Sequence, residues 1–279
     1  MKEVLVTGSA GRLGKELVKL LKNAGYHVTG LDLVNSETTD VIGDILQKEF
    51  VEEITNEKDA VIHTAALHGK HYELNYPREA FIKVNIEGTH NLLAASVKNG
   101  IKKFIYTSTT SIYGKAMENK QQAVWVDEAL VPQPRDIYDI TKLTCELLCQ
   151  DYFEKEGLET VVLRVSRFLP EEENTKANHR LYRGLDETDC AMAHLLALKK
   201  SLPKFEIFNI SNDTPFEKED LQTLYHNPKK AILKYFPQAE ARYQQKNWQF
   251  PNCIDRVYSI AKAKKLLGYQ PQNNFDKFI

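Results

Sequence analysis

Tyr138 and Lys142 stand four residues apart in the run Tyr138-Asp139-Ile140-Thr141-Lys142, a spacing that puts both side chains on one face of a helix. A phenol and an ammonium so placed can manage a single proton. A free tyrosine has a pKa of about 10, too high for a base in neutral solution. A neighbouring positive charge favours the phenolate and lowers that value. Such a phenol can remove an alcohol proton as hydride leaves the same carbon, or return a proton to a carbonyl. Hydride needs a carrier, and the start of the chain offers a place for one. Thr7-Gly8-Ser9-Ala10-Gly11-Arg12-Leu13-Gly14 is a glycine-rich turn.

The elements around that turn can be read from spacing. Glu3-Val4-Leu5-Val6 is a short apolar run and reads as a buried strand. Leu13, Leu17, Leu20, Leu21 and Ala24 then recur at helical spacing, and Gly25 fits a helix stop. A strand, a glycine turn and a helix start leave backbone N–H groups free to hold a pyrophosphate, and glycines let it approach. Gly8, Gly11 and Gly14 are therefore dinucleotide-binding candidates, with Ser9, Arg12 and Leu13 between them. A second strand over 26–31 ends at Asp32. An acid at this distance from the turn accepts hydrogen bonds from an adenosine ribose and repels a 2′-phosphate. That favours NAD, while Arg12, able to neutralise a phosphate, keeps NADP open.

With 279 residues the chain can bury one large core, or a main domain with a lobe. A net charge of −1 argues against general binding to nucleic acid or a membrane surface. No apolar stretch approaches the length needed to span a bilayer, and the first residues run straight into a strand, so no signal peptide is expected. Cys145, Cys149, Cys190 and Cys253 form no Cys-x-x-Cys pair and read as small buried residues, which suits a reducing cytoplasm.

Strands near 2–7, 26–32, 59–64, 103–108 and 159–165 alternate with helices near 12–24, 47–55, 77–99 and 138–156. This is the pattern of an α/β protein with a Rossmann-type, doubly wound parallel sheet. The pattern changes at about residue 169. Residues 170–179 read as a polar loop, 180–184 as a basic stretch and 187–200 as a helix. A late strand over 205–210 rejoins the sheet, and 260–269 forms a last short helix. The chain divides into a dinucleotide-binding domain, 1–168, and a smaller part, 169–279, which returns a strand and a helix to the main domain.

With these motifs the chain resembles the extended short-chain dehydrogenase/reductase family, in its NAD-dependent epimerase/dehydratase branch. The likeness covers residues 1 to about 170 and resumes over 185–198 and 256–271. It rests first on the Thr-Gly-x-x-Gly-x-x-Gly form of the turn. The resemblance implies that 169–279 is a substrate lobe and that Asp44 and Ile45, in Gly43-Asp44-Ile45, contact the adenine. It implies that His63, Ala65 and Ala66 line the cofactor and that Asn85 holds a relay position. In Phe104–Gly114 it implies a catalytic hydroxyl on Thr109, with Ser108 the second choice. Lys142 is expected to grip the nicotinamide ribose as well. A homodimer through the helices near 77–99 and 138–156 is also an implication of the family.

Family dehydratases carry an Asp-Glu pair directly after the catalytic hydroxyl. Here Thr110 and Ser111 stand there, and neither is a general acid near neutral pH. Epimerisation or oxidoreduction is therefore expected ahead of dehydration. In Arg164-Val165-Ser166-Arg167-Phe168-Leu169-Pro170, Arg167 replaces the family's diphosphate-contacting Asn, and Leu169 a Gly. Arg167 can grip a phosphate or a carboxylate as a two-pronged fork, and Arg180 and Arg183 are further anion candidates. The same stretch, continued into Glu171, is similar to uronate dehydrogenases, which oxidise a free sugar acid. His68 and His71 have no clear third metal ligand nearby, so their loop is expected to rim the substrate pocket and no metal is expected. Three functions follow. The first is an NAD(P)-dependent epimerase or oxidoreductase of a sugar or sugar nucleotide. The second is a free-sugar or uronate dehydrogenase, and the third an NAD-binding sensor without turnover.

Overall fold

Val4, Leu5 and Val6 are completely buried, and they open a sheet whose inner strands are apolar along most of their length. The computed structural model describes every residue except 1, 169, 170 and 203, and every other side chain except those of 70 and 72. The strands are β1 (Glu3–Thr7), β2 (His27–Asp32), β3 (Val41–Ile42), β4 (Ala60–His63), β5 (Lys103–Thr109), β6 (Val124–Val126), β7 (Glu159–Val165), β8 (Glu206–Ile210) and β9 (Arg256–Tyr258). Seven of them form one parallel sheet in the order β3-β2-β1-β4-β5-β7-β8, and β6 pairs with β9 apart from it. The strand order reverses between β1 and β4, which opens a crevice at the carboxyl ends of those strands.

A parallel sheet must be covered on both faces. The helices are α1 (Arg12–Asn23), α2 (Lys48–Thr55), α3 (Gly69–Glu73), α4 (Arg78–Phe81), α5 (Gly88–Lys98), α6 (Ile137–Glu156), α7 (Glu173–Arg180), α8 (Glu187–Lys199), α9 (Leu221–His226), α10 (Pro228–Tyr235), α11 (Ala239–Lys246) and α12 (Ala261–Leu267). Leu17 and Leu21 of α1, Leu195 and Leu198 of α8 and Leu267 of α12 cover one face. Val51 of α2, Leu92 of α5 and Cys145 of α6 cover the other. A third cluster joins Ala123, Leu181, Phe216, Leu224, Ile232, Tyr243, Val257 and Phe275. Among the described residues no helix is long and apolar enough to cross a membrane.

The expected strands of the main sheet all form, but β3, β6 and β9 were not read from sequence. The expected helix over 77–99 forms with a π-helical stretch, Ile82–Glu87, between α4 and α5. The loop expected over 170–179 is instead largely α7. Its buried residues are only Ala177 and Arg180, so it shows no apolar stripe. Glu173 in its first turn and His179 and Arg180 in its last suit the helix dipole. Leu169 and Pro170, part of the substrate motif and of the expected domain boundary, lie outside the described residues.

Candidate active site

The glycine turn leaves β1 at the crevice. Gly8 has φ +76°, and a Cβ there would come within 2.7 Å of the Ala65 backbone nitrogen. A Cβ on Gly14 would run into the Gly8 carbonyl. These two glycines therefore let the turn pack against β4's exit and its own helix. Gly11 caps α1 with no side-chain hydrogen bond, so the first-turn N–H groups are left for an anion. Asp32 holds the turn from below. Its Oδ2 accepts the Ala10 N–H at 2.9 Å and its Oδ1 the Val34 N–H at 3.0 Å. A pyrophosphate on the turn and a ribose near Asp32 fit this cradle.

The other cofactor candidates divide by what their side chains do. The Ser9 hydroxyl is buried beside Thr39 Oγ1 at 3.1 Å, and Leu13 is buried in the core. Both can offer a ligand only backbone. Arg12 pairs with Glu187 at 2.6 Å, so its guanidinium is engaged by an acid of α8. Asp44 Oδ1 accepts the Leu46 N–H at 2.9 Å, and buried Ile45 would collide with any side chain at Gly88. His63 is buried, bridging Thr7 Oγ1 at 2.7 Å and Thr89 Oγ1 at 3.0 Å, and burial beside Lys142 pushes its pKa down to about 3. It is thus neutral. Ala65 and Ala66 are half-buried after β4. Asn85, in the π-helical stretch, clamps the Leu67 backbone N–H at 2.8 Å and carbonyl at 2.9 Å, and donates to Thr141 Oγ1 at 2.9 Å. It ties the loop after β4 to the helix between Tyr138 and Lys142.

Thr109 ends β5, accepts the Ser111 N–H at 3.1 Å, and faces the Tyr138 phenol closely enough to favour its charged form. Tyr138 lies in the first turn of α6, which Asp136 caps. Lys142 is buried one turn on. Its Nζ donates to the Thr107 carbonyl at 2.6 Å and lies 4.2 Å from the Tyr106 ring centre. Burial pushes the Lys142 pKa down to about 8. Burial also pushes Tyr138 well above its ordinary value, and Asp139 and Asp136 add to that against the opposing effect of Thr109. The acidic phenol expected from the sequence is therefore not produced by the protein's own groups. Lys142 is turned to a carbonyl, and the charges acting on Tyr138 are carboxylates.

Ser108 points to the opposite face of β5 from its neighbours, as strand alternation requires. Its hydroxyl donates to Glu146 Oε1 at 2.5 Å. Glu146 in turn receives Arg164 through Nε at 3.1 Å and Nη2 at 2.7 Å. Ser108 is thus committed to a buried ion pair, and Thr109 is the hydroxyl beside Tyr138. The His68 loop borders the phenol: a Cβ on Gly69 would lie 4.0 Å from Tyr138 Cδ1. Among the described residues no three His, Cys, Asp or Glu side chains gather as metal ligands.

Beside the turn lies a cavity of about 250 Å³ lined by Arg12, Arg167, Phe168, Glu171, Lys176, Arg180, Leu185 and Glu187. Four cations face two acids there. Arg180 is buried, holds Asp186 at 2.9 Å, and keeps its Nε without a partner among the described residues. Arg183 instead lies over the Tyr182 ring, 5.7 Å from its centre, and is not part of that lining. Lys176 was missed from sequence. It and Arg180 reach the cavity together because α7 sets them one turn apart on one face.

A family model described as the NAD dependent epimerase/dehydratase family matches residues 4–188. The chain is 29% identical to human dTDP-D-glucose 4,6-dehydratase, over 97% of this chain and 86% of that protein. It is 25% identical to the uronate dehydrogenase of Pseudomonas syringae pv. tomato, over 62% of each. Its fold is similar to a crystal structure of UDP-glucose 4-epimerase with UDP-glucose from Thermotoga maritima. The TM-score is 0.71 with 25% identity, covering 97% of this chain and 94% of that one. The likeness to a dehydratase corrects the expectation that set dehydration aside on Thr110 and Ser111 alone.

Proposed function

Because this chain belongs to the NAD dependent epimerase/dehydratase family, we propose that it uses NAD to oxidise and reduce a carbon of a sugar or sugar nucleotide. Thr109, Tyr138 and Lys142 carry the proton chemistry. One observation supports this most. Thr109 and Tyr138 meet at the carboxyl edge of β5, next to the crevice into which the glycine turn opens. NAD, when bound, would supply the carbon that takes or returns hydride. Asp32 and the first turn of α1 would hold it, and the His68 loop would close over the reacting carbon.

Thr109 holds the substrate oxygen. Tyr138 rests protonated, so it is set to give its proton to a carbonyl. To act as a base it needs added positive charge nearby, which an oxidised nicotinamide would provide. The cation-lined cavity supports a substrate with an anionic group. It also favours a second assignment, a dehydrogenase of free sugar acids, since a carboxylate suits Arg167 and Arg180 as well as a diphosphate does. Exposed Ile82, Ile140 and Leu147 lie on neighbouring helices and support pairing of two copies there.

Turnover of UDP-glucose, UDP-galactose, dTDP-glucose, glucuronate and galacturonate with NAD tests the assignment, with products identified by NMR. Tyr138→Phe is expected to lower kcat by roughly 10²–10⁴-fold while leaving NAD binding intact. Retained turnover in that variant sinks the catalytic assignment. A 4-keto-6-deoxy product would identify the reaction as dehydration. NAD binding with no turnover of any substrate would favour a sensor.

A further inference from the structure

We propose that Glu187 sets how tightly this chain holds its dinucleotide: it neutralises Arg12, the cation of the glycine turn, and so competes with the pyrophosphate for that charge. Arg12 is the first residue of α1, and Glu187 is the first of α8. Their side chains meet at 2.6 Å, so the two helices begin at the same end of the fold and open on one cavity. That cavity suits an anion. Arg12, Arg167, Lys176 and Arg180 line it, and Arg180, only 3% exposed, keeps its Nε without a partner among the described residues. A buried N–H left unmatched is costly, and a ligand oxygen in the cavity would satisfy it. The lining holds two acids. Glu171 is taken by His179 at 2.7 Å, which leaves Glu187 as the acid set against the glycine turn.

The start of α8 does not need this acid. Asp186 caps the helix, accepting the Thr188 N–H at 3.1 Å. Asp189, in the same turn, accepts the backbone N–H groups of Gln272 and Asn273, each at 2.8 Å. Glu187 instead reaches sideways to α1. The pair is open to water, with 48% of the Arg12 side chain and 24% of the Glu187 side chain exposed. Such a pair is weak, so it yields to a bound pyrophosphate, but at the expense of affinity that an unpaired Arg12 would add. The first-turn N–H groups of α1, uncapped by any side chain, still attract the anion. Loose holding has a use. Net oxidation of a substrate leaves the cofactor reduced, and it must depart and be replaced at each turnover. Epimerisation returns the hydride to the carbon that gave it, and no exchange is needed. Within the proposed function, Glu187 therefore favours net dehydrogenation.

That consequence rests on the proposed function; the control of binding does not. NAD affinity is measured by titration calorimetry in wild type, Glu187→Gln, Arg12→Gln and the double variant, with thermal unfolding of the free proteins as a check on the fold. Glu187→Gln is expected to bind NAD about fivefold tighter than wild type, and Arg12→Gln about fivefold weaker. In the Arg12→Gln background, replacing Glu187 should gain less than about twofold, because the acid acts through Arg12. At about 0.5 M salt the gain in Glu187→Gln should largely vanish, since it is electrostatic. Unchanged or weaker binding in Glu187→Gln overturns the proposal, and so does an equal gain in both backgrounds. Glu187→Ala serves if the Gln variant does not fold. If the affinities move as expected and no sugar substrate turns over, the proposed function fails while the control of NAD binding by Glu187 stands.

Discussion

The buried face of α6 carries two polar sites one turn apart, and the fold treats them in opposite ways. At its inner end Glu146 holds Arg164 through two nitrogens, Arg164 reaches Tyr113 OH at 2.9 Å, and Tyr113 reaches Asn209 at 2.8 Å. Burial alone would lower Arg164, but Glu146 and Tyr113 hold it above its ordinary value. At the outer end, among the described residues, Lys142 has no carboxylate in its hydrogen-bonding set and Asp139 Oδ1 has no hydrogen-bond partner, and the charges that act on Tyr138 are carboxylates. The inner site is satisfied and serves structure. The outer site is left in tension, as expected where groups must change protonation during a reaction.

Breaking the inner site should have the largest effect. Arg164→Met leaves Glu146 as an unpaired buried charge and is expected to cost about 3–5 kcal/mol in urea unfolding. A loss below about 1 kcal/mol would mean that the two sites do not differ as described. Lys142→Met should do the reverse. It removes a buried ammonium at the expense of one hydrogen bond, so a gain of about 2 kcal/mol is expected together with loss of turnover.

The sign can be checked by pH. An unfolded lysine keeps its proton to 10.5, whereas Lys142 in the fold keeps it only to about 8. Between those values the unfolded chain binds more protons, so wild-type stability gains a contribution of up to about 3 kcal/mol as pH rises from 8 to 10.5. Below pH 8 the full penalty applies. Lys142→Met should lack this rise, and an identical pH profile would show that Lys142 is not in tension.

Smaller effects separate the reaction site from its surroundings. Arg167 is exposed and pairs through its backbone with Arg183 and Leu185, so Arg167→Gln should barely change stability. It is expected to raise KM for an acidic sugar substrate about tenfold with kcat unchanged. An unchanged KM would remove Arg167 from the substrate site. Ile140→Lys with Leu147→Lys should shift fold stability by about 0.5 kcal/mol or less but halve the mass seen in light scattering. A wild-type monomer would dispose of the pairing.

The strands of the main sheet were legible because fully buried parallel strands read as continuous apolar runs, as in Val4-Leu5-Val6 and Ala60-Val61-Ile62. The glycine turn, Asp32 and the Tyr138–Lys142 spacing were legible for a similar reason: each depends on a few neighbouring residues. β6 and β9 were not, since each has three residues and finds its partner more than a hundred residues away. α7 was hidden because a helix without an apolar stripe looks like a loop, and with it went Lys176.

The chain alone therefore determined the sheet, the glycine turn that leads into α1 and the placing of Tyr138 and Lys142 on one helix, because those follow from local spacing and burial. Only the tertiary structure decided which way the proton is biased. That depends on where Lys142 Nζ points, on the burial of Asp139, and on Ser108 turning away to Glu146. Electrostatic effects on a buried group are set by distances of a few ångströms between residues far apart in the chain, and no spacing along the sequence encodes them.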